Sequence, residues 1–250
     1  MIDFHSHILP HFDDGAKNAE VGLEMLRMSA DSGIDTIVST SHFYNEKYND
    51  ASDFIRERGM AFAELAEAAK SEKYELPRII LGAEVYLGKK VSRVKNLHAL
   101  CIGYTDYMML EMPYDDWNEE DFEEIYQITR LGICPIMAHL DRFMKFRNQF
   151  GELFSLGVLV QVNASAVLDN HMRRNVLDLF DMEAVHAIGS DMHNTDSRPP
   201  NAAQAYGLIE DKFGKDYRRY VENSAECILE NKQPPQSNLH KITGLKRILI

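Results

Sequence analysis

The sequence predicts an α/β fold of the TIM-like barrel kind, with about seven parallel strands alternating with helices. Three observations carry that reading. Short apolar or β-branched runs recur along the chain, each separated from the next by a stretch with helical periodicity. No internal repeat, low-complexity tract or linker interrupts the alternation, so 1–250 reads as one domain. Metal-ligating residue types stand at the ends of successive strands, where such barrels gather their chemistry.

The elements follow in order. Ile2 to His5 is the first strand. A helix runs from about Ala19 to Ser32, with Asn18 as its N-cap and Gly33 as its stop. Thr36 to Ser41 is strand two. Ser52 is placed to cap a long helix, in which Phe62, Leu65, Ala66 and Ala69 form a stripe and Gly59 is a weak point. Arg78 to Leu87 contains strand three, which ends near Gly82-Ala83-Glu84, and Tyr107 to Met112 is strand four. Asn118 starts a helix whose Glu119, Glu120 and Asp121 suit its positive end. Its predicted inner face is Phe122, Ile125, Tyr126 and Thr129, and Gly132 ends it. Cys134 to Ala138 is strand five, followed by a helix near Phe146 to Leu156. Val158 to Val162 is strand six, a helix runs from Met172 to Phe180, and Val185 to Gly189 is strand seven. The remainder reads as mostly helical, broken by Pro199-Pro200 and Pro234-Pro235, with Leu245 to Ile250 as a short tail docked on the domain.

Composition narrows the function classes. With 45% hydrophobic and 26% charged residues the chain is an ordinary globular one. Its formal net charge of −12 argues against nucleic acid and anionic membrane as general partners. It leaves an anionic substrate open, because bound dications reverse a local potential. Cys101, Cys134 and Cys227 are far apart and form no CxxC pair, which suits a reduced, cytoplasmic protein. The opening residues show no secretory pattern, and no apolar run approaches the roughly 20 residues of a membrane span.

The first strand ends in His5-Ser6-His7. Side chains at i and i+2 on a strand share a face, so the two imidazoles can grip one ion. Later strand ends supply partners: His42, Glu84, Glu111, His139, and the same-side pair Asp191 and His193. Asp14, in the Asp13-Asp14-Gly15 loop, is placed to swing back to a metal, while Asp13 holds the loop. Glu84 follows an apolar run, where an unpaired carboxylate is costly to bury. Imidazole and carboxylate without cysteine suit manganese, iron or zinc in a hydrolytic site. Arg142 and Arg198 follow ligand-bearing strands, and arginine matches phosphate oxygens bidentately, so a phosphate monoester is the expected substrate. His11 is a loop residue that touches substrate or simply faces solvent. His98, His171, His186 and His240 fit no strand-end pattern and read as structural or solvent-facing. Tyr44, Tyr48, Tyr86 and Tyr114 stand near the predicted rim, with packing as their first expected role and help in binding an aromatic substrate as the second.

The segments Asp3-Phe-His-Ser-His-Ile-Leu-Pro, Asp13-Asp-Gly-Ala-Lys, Ser39-Thr-Ser-His, Gly82-Ala-Glu, Ala138-His and Ser190-Asp-Met-His-Asn resemble the PHP (polymerase and histidinol phosphatase) superfamily. Within it they look most like the CpsB/YwqE-type bacterial protein-tyrosine phosphatases. The match runs in order over nearly the whole chain. His11-Phe12 departs from the small residue often found before the Asp-Asp-Gly loop. The resemblance implies a distorted (β/α)7 barrel and three divalent ions, usually manganese. It implies that His5, His7, Glu84 and Asp191 hold one ion, Glu84, Glu111 and His139 the second, and Asp14, His42 and His193 the third. Arg142 and Arg198 would then grip the phosphoryl group. The implied substrate is the tyrosine-rich tail of a cognate bacterial tyrosine kinase that controls capsule or exopolysaccharide synthesis.

The expected mechanism is in-line attack by water activated at the ions, with no covalent phosphoenzyme. A cysteine-based route needs an arginine six residues after its nucleophile, and Tyr107, Leu140 and Gln233 occupy those positions. The rival enzyme reading is a PHP-type phosphatase for a small monoester such as histidinol phosphate. An amidohydrolase-type barrel is more distant, because Glu84 or Glu111 stands where its carbamylated lysine is expected. A non-catalytic module that binds phosphotyrosine is the reading from another class, and the full ligand set argues against it.

Overall fold

The computed structural model describes residues 1–73 and 75–235. Every strand pairing in it is parallel. The strands are β1 (Ile2–Ser6), β2 (Thr36–Ser39), β3 (His42–Phe43), β4 (Arg78–Leu81), β5 (Glu84–Tyr86), β6 (Tyr107–Glu111), β7 (Cys134–Met137), β8 (Leu159–Asn163) and β9 (Ala187–Gly189). They lie in the orders β1-β2-β4 and β3-β5-β6-β7-β8-β9. Strands two and three of the sequence reading are each broken, into β2 with β3 and β4 with β5. Gly82 N donates to Ser39 O at 2.8 Å and Glu84 N to Thr40 O at 3.0 Å, carrying the ladder across the break. Counted that way the described residues hold seven strands. β1 and the end of β9 close the ring through Asp191 N to His5 O (2.8 Å) and His7 N to Met192 O (2.9 Å). A two-bond closure in place of a ladder makes this the barrel-like fold that the alternation implied, with the distortion that the resemblance implied.

The helices show where periodicity served well and where it slipped. α1 (Ala19–Asp31) is capped by Asn18, whose side chain accepts from Val21 N. α2 (Ala51–Ala69) is capped by Asp50 rather than Ser52, because Asp50 Oδ1 takes the Ser52 amide at 2.8 Å. Its buried face is Ala51, Phe54, Arg58, Ala61 and Leu65; of the expected stripe Leu65 lies on that face, whereas Phe62, Ala66 and Ala69 are half-buried beside it. α3 (Glu119–Arg130) opens with a capping box of Asn118 and Asp121. It buries Ile128 and exposes Tyr126, because the amphipathic Tyr126 ring can stay wet and the Ile128 side chain cannot. The helix expected near Phe146 is a 3-10 stretch over Leu140–Gln149, then α4 (Phe150–Ser155). α5 (Ala164–Leu168) and α6 (Arg173–Asp181) precede β9, which starts two residues later than expected. α7 (Ala202–Phe213) and α8 (Lys215–Leu229) follow. Phe4, Val38, Met109, Ile136 and Ala187, from different strands, pack in one cluster with Ala225 and Ile228 of α8. His240 and the Leu245–Ile250 tail lie outside the described residues.

Two glycines set the approach of neighbouring chain to the first histidine pair. A Cβ on Gly189 would fall 2.4 Å from the His5 Cβ, and one on Gly15 would fall 2.1 Å from the His7 carbonyl oxygen. Only glycine lets β9 and the first loop come this close to β1.

His186 is structural, as expected, and its burial carries a pH dependence. Val160 N donates to its Nδ1 at 3.2 Å, and burial pushes the imidazole down to about 4. An unfolded-chain histidine titrates near ~6.5, so below that pH protons favour the unfolded chain. Its contribution is complete above pH ~6.5 and is lost as pH falls toward 4, by roughly 3 kcal/mol. His186→Gln keeps an acceptor for the Val160 amide and should flatten that stretch of the stability curve. Urea unfolding of both chelated proteins across the interval measures it, and an unchanged slope refutes the account.

Candidate metal centre

All nine ligand candidates converge at the C-terminal ends of the strands. His5 lies in β1 and His7 just past it, His42 opens β3, Glu84 opens β5 and Glu111 closes β6. His139 lies two residues past β7, and Asp191 and His193 follow β9. His139 and Asp191 both take positive φ, 34° and 55°. Such backbone is uncommon outside glycine and is held here by the surrounding bonds. Asp14 reaches in from the first loop and is the most exposed of the nine, with 65% of its side chain accessible.

Glu84 is the hub. Its carboxylate lies 3.2 Å from His5 Nε2, 3.3 Å from His7 Nε2, 3.1 Å from His42 Nδ1 and 2.7 Å from His139 Nε2. Three sets have ligand atoms mutually within 4.8 Å: His7, Asp14, His42 and His193; His5, His7 and Glu84; and His42, Glu84 and Glu111. Each pair of sets shares a residue, so the candidates form one continuous cluster. The sets differ in detail from those the resemblance implied. His7 joins the Asp14 set, and His42 stands with Glu84 and Glu111. His139 remains 3.5 Å from Glu111 Oε1, and Asp191 Oδ1 lies 3.6 Å from both His5 Nε2 and His7 Nε2.

The donor chemistry fits divalent cations. His42 Nδ1 and His193 Nε2 are buried without an aligned hydrogen bond, although carboxylate oxygens of Glu84 and Asp14 lie 3.1 and 3.3 Å away. His5 Nε2 and His7 Nε2 face each other at 3.1 Å. Ring nitrogens and carboxylates that converge without aligned protons are arranged as lone pairs around a cation.

Electrostatics inside the cluster run the same way. Burial disfavours charge on His5, but Glu84 and Asp191 outweigh it and raise its pKa. Burial likewise opposes charge on His7, and Asp13 and Glu84 raise it well above the ordinary value. Burial would raise Glu84, but His5, His139 and His42 hold it well below the usual carboxylate range. Glu111 goes up, through burial and the neighbouring Glu84 charge. His193 is pushed down to about 4, by burial first and by His7 next.

A second layer fixes the ligands. Asp13 accepts from His7 Nδ1 at 2.9 Å, from Gly15 N at 3.0 Å and from His42 N at 3.2 Å. It holds the loop, as its sequence position implied, and it also orients a ligand. Gln161 Oε1 accepts from His5 Nδ1 at 3.2 Å and from His139 N at 2.6 Å. Asn163 Nδ2 donates to Asp191 Oδ2 at 2.9 Å, and Asn163 N donates to the buried Asp141 at 2.7 Å. Burial pushes Asp141 up to about 6. The sequence reading passed over Gln161, Asn163 and Asp141. The available signal was Leu-Val-Gln-Val-Asn, where polar residues two apart on a buried strand must face something polar.

Both arginines reach the cluster. Arg142 Nη2 and Arg198 Nη2 bind Asp191 Oδ2, the latter at 2.7 Å. Of the rim tyrosines, Tyr48 is buried, stacks on Phe43 and donates to Glu57 at 2.6 Å. Tyr44 stays at the rim, its ring 5.7 Å from that of His42 and 5.8 Å from Tyr86. His11 turns outward toward Glu64 of α2, at 3.9 Å, and His98 and His171 are exposed.

Comparison with known proteins fits this centre. The family model described as "Capsular polysaccharide synthesis, CpsB/CapC" matches residues 1–230. The chain belongs to the CpsB/CapC family. This family member is 31% identical over 245 residues to tyrosine-protein phosphatase CpsB of Streptococcus agalactiae serotype III (strain NEM316), covering 92% of this chain and 99% of that protein. It is 28% identical over 247 residues to tyrosine-protein phosphatase YwqE of Bacillus subtilis (strain 168), covering 94% and 96%. Among solved structures it superposes with a TM-score of 0.76 and 26% identity, over 95% of this chain and 99% of the other. That match comes from a study of YwqE from Bacillus subtilis and CpsB from Streptococcus pneumoniae, described as unique metal-dependent tyrosine phosphatases. Among the described residues of this CpsB/CapC-family chain, no helix is long and apolar enough to cross a membrane.

Proposed function

We propose that this chain is a metal-dependent protein-tyrosine phosphatase. The observation that carries the reading is a continuous cluster of seven imidazole and carboxylate candidates, with His139 against Glu84 and Glu111, Asp191 against His5 and His7, and two arginines bound to its edge at Asp191. The names of its relatives support the same activity. On the assignment that the resemblance implies, His5, His7, Glu84 and Asp191, then Glu84, Glu111 and His139, then Asp14, His42 and His193 would hold three divalent ions, with manganese the first choice. Such ions, when bound, supply Lewis acidity and an acidified water. The chain's own residues do the rest. Asp13 and Gln161 fix the tautomers of His7 and His5 through their Nδ1 protons. Arg142 and Arg198 present N–H groups to the phosphoryl oxygens and orient the ester for in-line displacement. A tyrosine phenol leaves as a phenolate of pKa ~10, so strong protonation of the leaving oxygen is unnecessary.

The substrate within this reading is a phosphotyrosine protein in capsule or exopolysaccharide synthesis, namely the tyrosine-rich tail of a cognate kinase in the cytoplasm. One assay tests it: turnover of a phosphotyrosine peptide and of histidinol phosphate with manganese, before and after chelation and after thiol alkylation. The expected result is preference for the peptide, loss on chelation and indifference to alkylation. Preference for histidinol phosphate overturns the substrate assignment. Activity that survives chelation and dies with alkylation overturns the mechanism.

A further inference from the structure

Arg142 carries the phosphoryl contact in the reading above, yet its side chain is long and has few anchors. One guanidinium nitrogen, Nη2, binds Asp191 Oδ2. That bond is the one a phosphoryl oxygen competes with, since both are anions seeking the same N–H groups. The other nitrogen, Nη1, donates to the Tyr114 phenol oxygen at 3.1 Å. Tyr114 in turn donates its phenol proton to Glu111 Oε1 at 3.1 Å. Its backbone oxygen accepts from Lys145 Nζ at 2.8 Å, and its ring packs 5.3 Å from Phe143. The residue is therefore gripped at both ends although its side chain is half exposed. A phenol, with an ordinary pKa of ~10, is a proton donor at neutral pH.

We propose that Tyr114 is a positioning residue that tethers the Arg142 guanidinium to the metal-ligand carboxylate of Glu111, at the orientation in which Arg142 receives a phosphoryl oxygen. The geometry separates two jobs. Asp191 shares the nitrogen that the substrate takes, whereas Tyr114 occupies the other and stays bonded through the exchange. A planar guanidinium held at one nitrogen keeps its remaining N–H groups in a fixed direction. The residue order supports this, since Glu111 and Tyr114 leave one strand end and Arg142 leaves the next. The inference rests on the phosphatase reading.

Tyr114→Phe removes the hydroxyl and keeps the ring against Phe143, so the fold is not at stake. With manganese-loaded protein, calorimetry should show inorganic phosphate binding weakened roughly tenfold, the order expected of one lost charge-assisted hydrogen bond. KM for a phosphotyrosine peptide should rise in parallel, with kcat within about twofold of wild type and metal content unchanged. In an Arg142→Ala background the same change should have no further effect on phosphate binding. Unchanged phosphate binding overturns the tether, and so does a full additional loss in the Arg142→Ala background. Lost metal also overturns it, because the phenol would then act on Glu111 alone, as does a fall in kcat at constant KM. If instead the wild-type protein fails to turn over the peptide with manganese, the phosphatase reading fails, and the phosphate-binding arm still judges the tether.

Discussion

Glu84→Gln should abolish manganese-dependent phosphatase turnover, lowering kcat by more than roughly 10³-fold. The change is nearly isosteric, so packing around a residue that is only 1% exposed is preserved. What goes is the negative charge that lies within 3.3 Å of four imidazoles. In the native site each imidazole directs a nitrogen at the same carboxylate, and Glu84 joins two of the three ligand sets. Glutamine offers one neutral acceptor and an NH2 group that meets the ring nitrogens as a donor. Two of the three groups of ligands therefore lose a donor at once. Metal content by elemental analysis and kcat on a phosphotyrosine peptide measure the outcome. A Glu84→Gln protein with full metal and near wild-type kcat would refute the hub role.

The second large effect is at the arginines. Arg142→Ala and Arg198→Ala should each lower kcat/KM by roughly 10²–10³-fold, with metal retained. In the proposed mechanism, charge on the equatorial oxygens develops where these guanidinium groups converge, and both bind Asp191. Burial would raise the Asp191 carboxyl, but His5 and His7, and then Arg142, hold it well below the ordinary carboxylate range. A lysine at either position should rescue little, because a point charge does not reproduce the planar fork. Steady-state kinetics on single and double variants test this. Retention of kcat/KM within about twofold in both single variants would remove the arginines from the mechanism, and loss of metal would reassign them to supporting Asp191.

The contrast between ligands and their supports shows how far local sequence reaches. His5 and His7, or Asp191 and His193, are legible because a strand alternates faces, so spacing alone places both side chains on one side. Asn18 and Asn118 are legible as helix caps for a similarly local reason. The break after Ser39 was not legible, because nothing in Thr36 to Ser41 disfavours a continuous strand, whereas Gly82 marks the end of β4 and only the resumption of pairing at Glu84 escaped the sequence. Both breaks arise where Glu84 must leave one ladder and join another.

By itself, then, the sequence determined the parallel α/β alternation, the strand-end ligands, the missing cysteine nucleophile signature and the family motifs. These depend on residue type and on spacings of a few positions. Tertiary structure alone decided which ligands share an ion-sized space, that Glu84 sits among four imidazoles, and that both arginines meet at Asp191. It also decided the supporting roles of Gln161, Asn163 and Tyr114. Those contacts join residues 22 to 156 positions apart or different strand ends, and their geometry is set by barrel closure, the two close glycine approaches and the burial that forces each polar atom to find a partner.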